Sequence, residues 1–102
     1  MNNNGKVIFN NNHLVFNNGQ NVIYTAPTNY NKCVMYVTES LKYFTETIRI
    51  EIDRGYNNYS LPLVKGGEVQ YYMKSSFKEN GDITIGSWST GVEGYITLLL
   101  FK

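Results

Sequence analysis

Between Thr47 and Asp53, Ile48, Ile50 and Ile52 alternate with Thr47, Arg49, Glu51 and Asp53. A period of two belongs to the β-strand, whose successive side chains point to opposite faces. Residues 45–54 therefore predict a strand in a sheet with one buried and one wet face. Nothing else in the chain competes with that signal as a helix. No stretch carries apolar residues at amphipathic helical spacing, and none approaches the length of a membrane helix.

The remaining segments are apolar runs punctuated by turn residues. Val7-Ile8-Phe9, Leu14-Val15-Phe16 and Val22-Ile23-Tyr24 are separated by Asn10-Asn11-Asn12 and Asn17-Asn18-Gly19-Gln20. These polar spacers read as turns and the three runs as a meander, too short for central strands. Residues 32–38 form a strong strand around Val34, Met35, Tyr36 and Val37, and 39–44 could end it or make one helical turn. After a turn at 55–58, residues 59–64 predict a short strand that Pro62 confines to an edge. Gly66-Gly67 and Asn80-Gly81 mark hairpins around a strand at 68–75. In the segment 82–88, Ile83 and Ile85 face in and Thr84 faces out, with Gly86 a weak point or bulge. A loop at 89–94 leads to a closing strand, 95–101. About eight or nine short strands with turns every eight to twelve residues predict an all-β chain, an antiparallel β-sandwich of jelly-roll-like type, with a closed barrel as the alternative. A length of 102 residues holds one domain. Within it, 1–21 is expected to be an N-terminal β-hairpin arm or a pair of edge strands, and 22–102 the sandwich.

Composition narrows the chemistry. The formal net charge is +1 and only 17% of residues are charged, so neither nucleic acid nor a membrane surface is an expected partner. Aromatic residues reach 15%, and a lightly charged, Tyr-rich surface suits contact with other protein. Asparagine occurs 14 times, 11 of them in the first 31 residues, which suits turns because Asn tolerates left-handed backbone. The polar start, Met1 to Gly5, lacks the basic and apolar regions of a signal peptide, so synthesis in the cytoplasm is expected.

The residues offer little for catalysis. His13 and Cys33 are the lone representatives of their types, and no nucleophile, base and orienting group fall together. Glu51 and Asp53 share a strand face about 6.6 Å apart, a spacing open to glycosidase chemistry. Arg49 on the same face and Arg54 beside it favour a solvated surface of mixed charge. No calcium loop, phosphate loop or nucleophile elbow occurs. The expectation is no catalytic residue, no metal site and no cofactor. The aromatic residues fit strand filling, a protein interface, or stacking on sugar rings. Tyr56, Tyr59 and Trp88 are the candidates for an exposed aromatic group.

The order of several short motifs is informative. Tyr24-Thr25-Ala26-Pro27 precedes an apolar strand. Ile50-Glu51-Ile52-Asp53-Arg54-Gly55 is followed by a Tyr-containing loop and Leu61-Pro62-Leu63. Gly66-Gly67-Glu68, Asn80-Gly81-Asp82-Ile83-Thr84-Ile85 and Gly91-Val92-Glu93-Gly94 come next. Over residues 22–102 this succession resembles the small β-sandwich structural proteins of tailed-bacteriophage virions, and the Asn-rich composition is similar to auxiliary capsid proteins of crAss-like phages. Thr28-Asn29-Tyr30-Asn31 stands where those proteins often carry Gly after the Pro. The resemblance implies a non-enzymatic virion protein of the capsid surface, an auxiliary (decoration) protein that binds and stabilises the shell. Its partners would be the major capsid protein or other virion proteins, with self-association. The alternatives are a receptor- or glycan-binding fibre module and a neck or tail assembly protein. Val7, Phe9, Leu14 and Phe16, in runs too short to make a core alone, are the expected contacts, with Tyr56, Tyr59 and Trp88.

Overall fold

The structure, a computed structural model, describes residues 5–39, 47–87 and 92–102. Eight strands are present among them: β1 (Lys6–Phe16), β2 (Gly19–Thr25), β3 (Lys32–Glu39), β4 (Thr47–Asp53), β5 (Tyr56–Lys65), β6 (Glu68–Phe77), β7 (Asp82–Ser87) and β8 (Val92–Phe101). They form two four-stranded antiparallel sheets, ordered β1-β8-β3-β4 and β2-β7-β6-β5, packed as a β-sandwich. The first strand pairs with the last and the second with the second last, as in a jelly roll. The inner pairs β3·β4, β5·β6 and β6·β7 are sequential hairpins instead.

The core follows from alternation. The first sheet turns Cys33, Met35 and Val37, then Ile50 and Ile52, then Ile96, Leu98 and Leu100 inward. The second sheet answers with Met73, Phe77, Ile83 and Ile85. All are essentially closed to solvent. The period-two reading of β4 holds; in β7, Ile83 and Ile85 face in as expected, but Thr84 between them is buried too. Pro62 lies on an edge strand, as its missing N–H requires. Gly66 and Gly67, at φ 62° and 80°, form the two-residue turn that joins β5 to β6. Both positions need left-handed backbone, which glycine adopts without a steric cost.

The N-terminal reading needs correction. Asn10-Asn11-Asn12 is not a turn, and β1 runs through it as one strand along β8. Phe9 sits opposite Leu98 and Asn12 opposite Ile96, so an extra residue is accommodated between them. Asn11 adopts φ 55° there, and its N–H donates to Thr97 Oγ1 at 3.0 Å. This is a β-bulge that uses Asn's tolerance for left-handed backbone. It has a consequence for packing. Phe9 and Phe16 are an odd number of residues apart, and an unbroken strand would send them to opposite faces. The bulge restores both to the core side. The second spacer, 17–20, carries the chain from one sheet to the other, so β1 and β2 occupy edges of different sheets and make no meander. Phe9 and Tyr24 then meet edge-on across the gap, with ring centroids 6.1 Å apart.

Gly86 is no bulge. It pairs in regular register with both Gln20 and Lys74. A Cβ at this position would collide with the Gly19 carbonyl oxygen, so the close approach of β2 explains the glycine.

One end of the sandwich is tied by Arg54, the residue after β4. Its Nε donates to the Tyr30 carbonyl at 2.8 Å, Nη1 to the Glu79 carbonyl at 3.2 Å and Nη2 to the Pro27 carbonyl. The guanidinium lies 4.8 Å from the Phe77 ring centroid, and its backbone N–H donates to Asn31 O at 2.8 Å. One planar fork thus joins the β2–β3 connection to the β6–β7 turn, and it covers a core aromatic. We expect Arg54→Ala to lower unfolding free energy by about 2–4 kcal/mol in urea titrations, because carbonyls lose a charged donor. Arg54→Lys should recover only part of this, since an ammonium cannot span all three acceptors in the same plane.

Candidate docking surface

The residues expected to make contacts separate into several environments. Phe16 is 1% exposed and belongs to the core, which overturns its place among the interface candidates. The Asn11 bulge is the cause. Phe9 and Leu14 are half-buried against the same core. Val7 alone of this group is well exposed, at 55%, opposite Leu99 on the outer face of the first sheet. Tyr56 is exposed, while Tyr59 packs partly against the core, and their rings meet at 62° with centroids 6.1 Å apart. Trp88 lies outside the described residues, as do the 40–46 segment and residues 89–91 of the predicted 89–94 loop.

The outer face of the first sheet can be assembled from the register. Val7, Leu99, Val34 and Glu51 form one row across the four strands. Thr97, Tyr36 and Arg49 form the next, and His13, Tyr95, Thr38 and Thr47 the third. Val15 faces Glu93 beyond them. Val7, Val15, Tyr36 and Tyr95 are exposed on this face. Two polar groups frame it. At the β1 side, His13 Nε2 lies 2.8 Å from Glu93 Oε1, and the His13 ring meets Tyr95 edge-on at 5.5 Å. At the β4 side, Lys32 Nζ and Arg49 Nη2 hold the two oxygens of Glu51 at 3.0 and 2.8 Å.

These contacts set the electrostatics of Glu51. The Lys32 hydrogen bond, and then the Arg49 hydrogen bond, hold the Glu51 carboxyl below its ordinary value. Lys32 is raised in return, chiefly by its hydrogen bond to Glu51. Arg49 is raised by hydrogen bonds to Tyr36 and then Glu51. Glu51 is therefore an ionised anchor for two cations, the opposite of a carboxyl poised to donate a proton. Among the described residues, no three His, Cys, Asp or Glu side chains converge in a way that could hold a metal.

On the second sheet, Val22, Val69 and Tyr72 are exposed. Ser76 and Thr84, paired across β6 and β7, are buried and share a hydroxyl hydrogen bond of 2.5 Å. Thr84 also reaches Gln20 Oε1 at 3.4 Å. Cys33 is closed to solvent, and burial pushes its thiol up to about 12. It is a small core residue and no nucleophile at neutral pH.

Sequence reasoning passed over Val15, Val22, Tyr36 and Tyr95 as surface residues. Their signal was parity. Tyr36 stands between Met35 and Val37, and Tyr95 precedes Ile96, so each occupies the outward position of a strand whose inward positions are apolar.

Two measurements test these placements. Phe16→Ala should cost about 3–5 kcal/mol of stability, as a buried aromatic truncation does, whereas Val7→Ala should change it by about 0.5 kcal/mol or less. Equal effects in denaturant titrations would contradict the assigned burial. The Cys33 thiol supplies a pH test. Its pKa is raised in the folded chain, so between about 9 and 12 the unfolded thiol has lost its proton while the native one keeps it. Unfolding then releases a proton, and stability falls as pH rises through that window. Comparing denaturation midpoints of the native chain and Cys33→Ala above pH 9 should show a shallower decline in the variant.

No protein-family model, no curated protein and no solved structure matches this chain.

Proposed function

We propose that this chain is a non-enzymatic structural protein of a virion, an auxiliary protein that docks on a capsid shell and reinforces it. The observation that supports docking is the outer face of the first sheet. It is a broad β-surface on which Val7, Val15, Tyr36 and Tyr95 are exposed beside two hydrogen-bonded polar groups, His13–Glu93 and Lys32–Glu51–Arg49. Four strands about 4.8 Å apart, along a ten-residue β8, offer a planar area on the order of 500 Å². That approaches the roughly 800 Å² that each partner contributes to a standard protein interface. Tyrosine anchors within a polar rim match the composition of such interfaces. Repetition over a lattice would multiply a modest single contact through avidity. The virion assignment itself rests on the motif order of residues 22–102.

A second reading, a receptor- or glycan-binding module, takes its support from exposed Tyr56 beside Tyr59. Their rings stand at 62° to each other, so they present two separate stacking faces and no single platform.

Mixing the purified chain with phage capsids that lack it, followed by sedimentation and imaging, tests the proposal. Saturable occupancy at regular shell positions is the expected result. The double variant Tyr36→Ala, Tyr95→Ala should weaken it by about tenfold or more while remaining folded. Absence of shell binding, with retention on a glycan array or at the portal end, would reject decoration in favour of receptor recognition or tail assembly.

A further inference from the structure

Among the described residues each sheet of the sandwich has four strands, which gives four strand edges, each a row of backbone donors and acceptors on its outer side. Natural sheets blunt such edges with bulges, proline, charged side chains or a covering segment. Three of the edges among the described residues carry bulges or proline. β1 departs from regular register twice along β8, with Asn11 in left-handed backbone. β2 departs once, between Val22 and Tyr24. β5 departs twice and contains Pro62, which has no N–H to offer. The fourth edge, β4, is different. It pairs with β3 over seven consecutive residues, Thr47 to Asp53, without one irregularity. Among the described residues no strand pairs with its other side.

From this we infer that the β4 edge is an interaction surface, and that its occupant is β4 of a second copy of this chain, paired antiparallel about a two-fold axis through Ile50. The side-chain pattern selects both partner and register. A two-fold axis normal to a continuous sheet keeps inward residues opposite inward residues, so the axis must pass through a residue position. Centred on Ile50, Arg49 of each copy faces Glu51 of the other, Ile48 faces Ile52, and Thr47 faces Asp53. The charged pairs are complementary twice over. Centring on Arg49 would oppose two arginines, and on Glu51 two glutamates. Centring on Ile52 would put Glu51 against Asp53. Centring on Ile48 would leave only Thr47 to Arg49 paired. Like charges directly opposite destabilise a strand pair and opposite charges favour it. The Ile50 register alone therefore uses the whole strand without a charge conflict.

The pairing also completes the burial of β4. Ile50 and Ile52 are already closed to solvent, while Ile48 is only partly buried and would gain cover from Ile52 of the second copy. Glu51 already accepts from Lys32 and Arg49 of its own chain, so the axis would bring two cation–carboxylate clusters into one network. The result is an isologous dimer in which the first sheets of the two copies run on as one continuous sheet. Both outer faces then lie on the same side of the assembly. This pairing stands whether or not the partner of those faces is a capsid.

Sedimentation equilibrium of the full chain, over roughly 10 µM to 1 mM, should show a reversible monomer–dimer equilibrium. Arg49→Glu makes residues 49 and 51 both acidic, and Glu51→Arg makes both basic. Each variant alone should dimerise at least about tenfold more weakly than the native chain, because both axis-related pairs become like-charged. Mixed in equal amounts, the two variants should form a heterodimer, since every crossed pair is then opposite in sign. A strictly monomeric native chain, homodimers undiminished in either variant, or a mixture that stays monomeric would each overturn the pairing. Should a variant fail to fold, amide hydrogen exchange on the native chain decides the matter. Protection of β4 amides should rise with protein concentration while that of β5 stays constant, and concentration-independent β4 exchange would also reject the proposal.

Discussion

The apolar layer between the two sheets is the constraint on which everything else depends. Neither sheet can exist alone, since each has a face of Ile, Leu, Met and Phe that water would oppose. The first sheet brings three inward residues on each of β3 and β8 and two closed isoleucines on β4. Among the described side chains of the second sheet, Met73, Phe77, Ile83 and Ile85 face the same layer, and Ser75 stands in their row, satisfied by a 2.6 Å hydrogen bond to the Thr84 carbonyl. The strand breaks and bulges can be understood as devices that keep apolar residues in that layer. The Asn11 bulge is the clearest, because without it Phe9 and Phe16 could not share a face.

Closing the layer requires work at its margins. At the β1–β2 margin, Phe9 from one sheet meets Tyr24 from the other edge-on. At one end, Arg54 binds three carbonyls of two separate connections and lies over Phe77. A guanidinium suits this position because its donors are coplanar and fixed, while its face is weakly hydrated enough to rest on an aromatic ring. The connections it joins are also held by backbone bonds, including Ala26 N–H to Gly81 O and Asn31 N–H to Phe101 O at 2.9 Å each.

With its interior committed to packing, the protein has its outer faces and edges left for function. The first sheet's outer face combines exposed valine and tyrosine with ionised groups that already have partners. Such a surface can be desolvated at modest cost, because Glu51 would enter an interface with its charge balanced. The edges show a similar economy of design. Irregular register protects three of them, and β4 combines regular backbone with charges of both signs.

Much of the architecture was legible in local pattern. The alternation of Ile48, Ile50 and Ile52, the Gly66-Gly67 and Asn80-Gly81 turns, the edge position of Pro62 and the apolar last strand are consequences of side-chain parity and backbone freedom. Those properties act over a few residues and survive in a linear reading. The candidate surface was less legible. Of the expected contacts on β1, Val7 is exposed but Phe16 is a core residue, and Tyr36 and Tyr95 share the exposed face with Val7. Arg54 was noticed only as a neighbour of two carboxylates. Each of these depends on contacts between residues far apart in the chain.

The sequence by itself determined that this chain makes strands, roughly where most of them lie, and which face of β4 is apolar. It did so because a strand's two faces are written directly as alternation. Only the tertiary structure decided which strands become neighbours, that Asn10 to Asn12 continues a strand when its spacing suggests a turn, and which edge is left regular. The physical reason is that register is a relation between two strands. One left-handed asparagine reverses the parity of everything before it, and nothing local shows whether a facing strand will make use of that reversal.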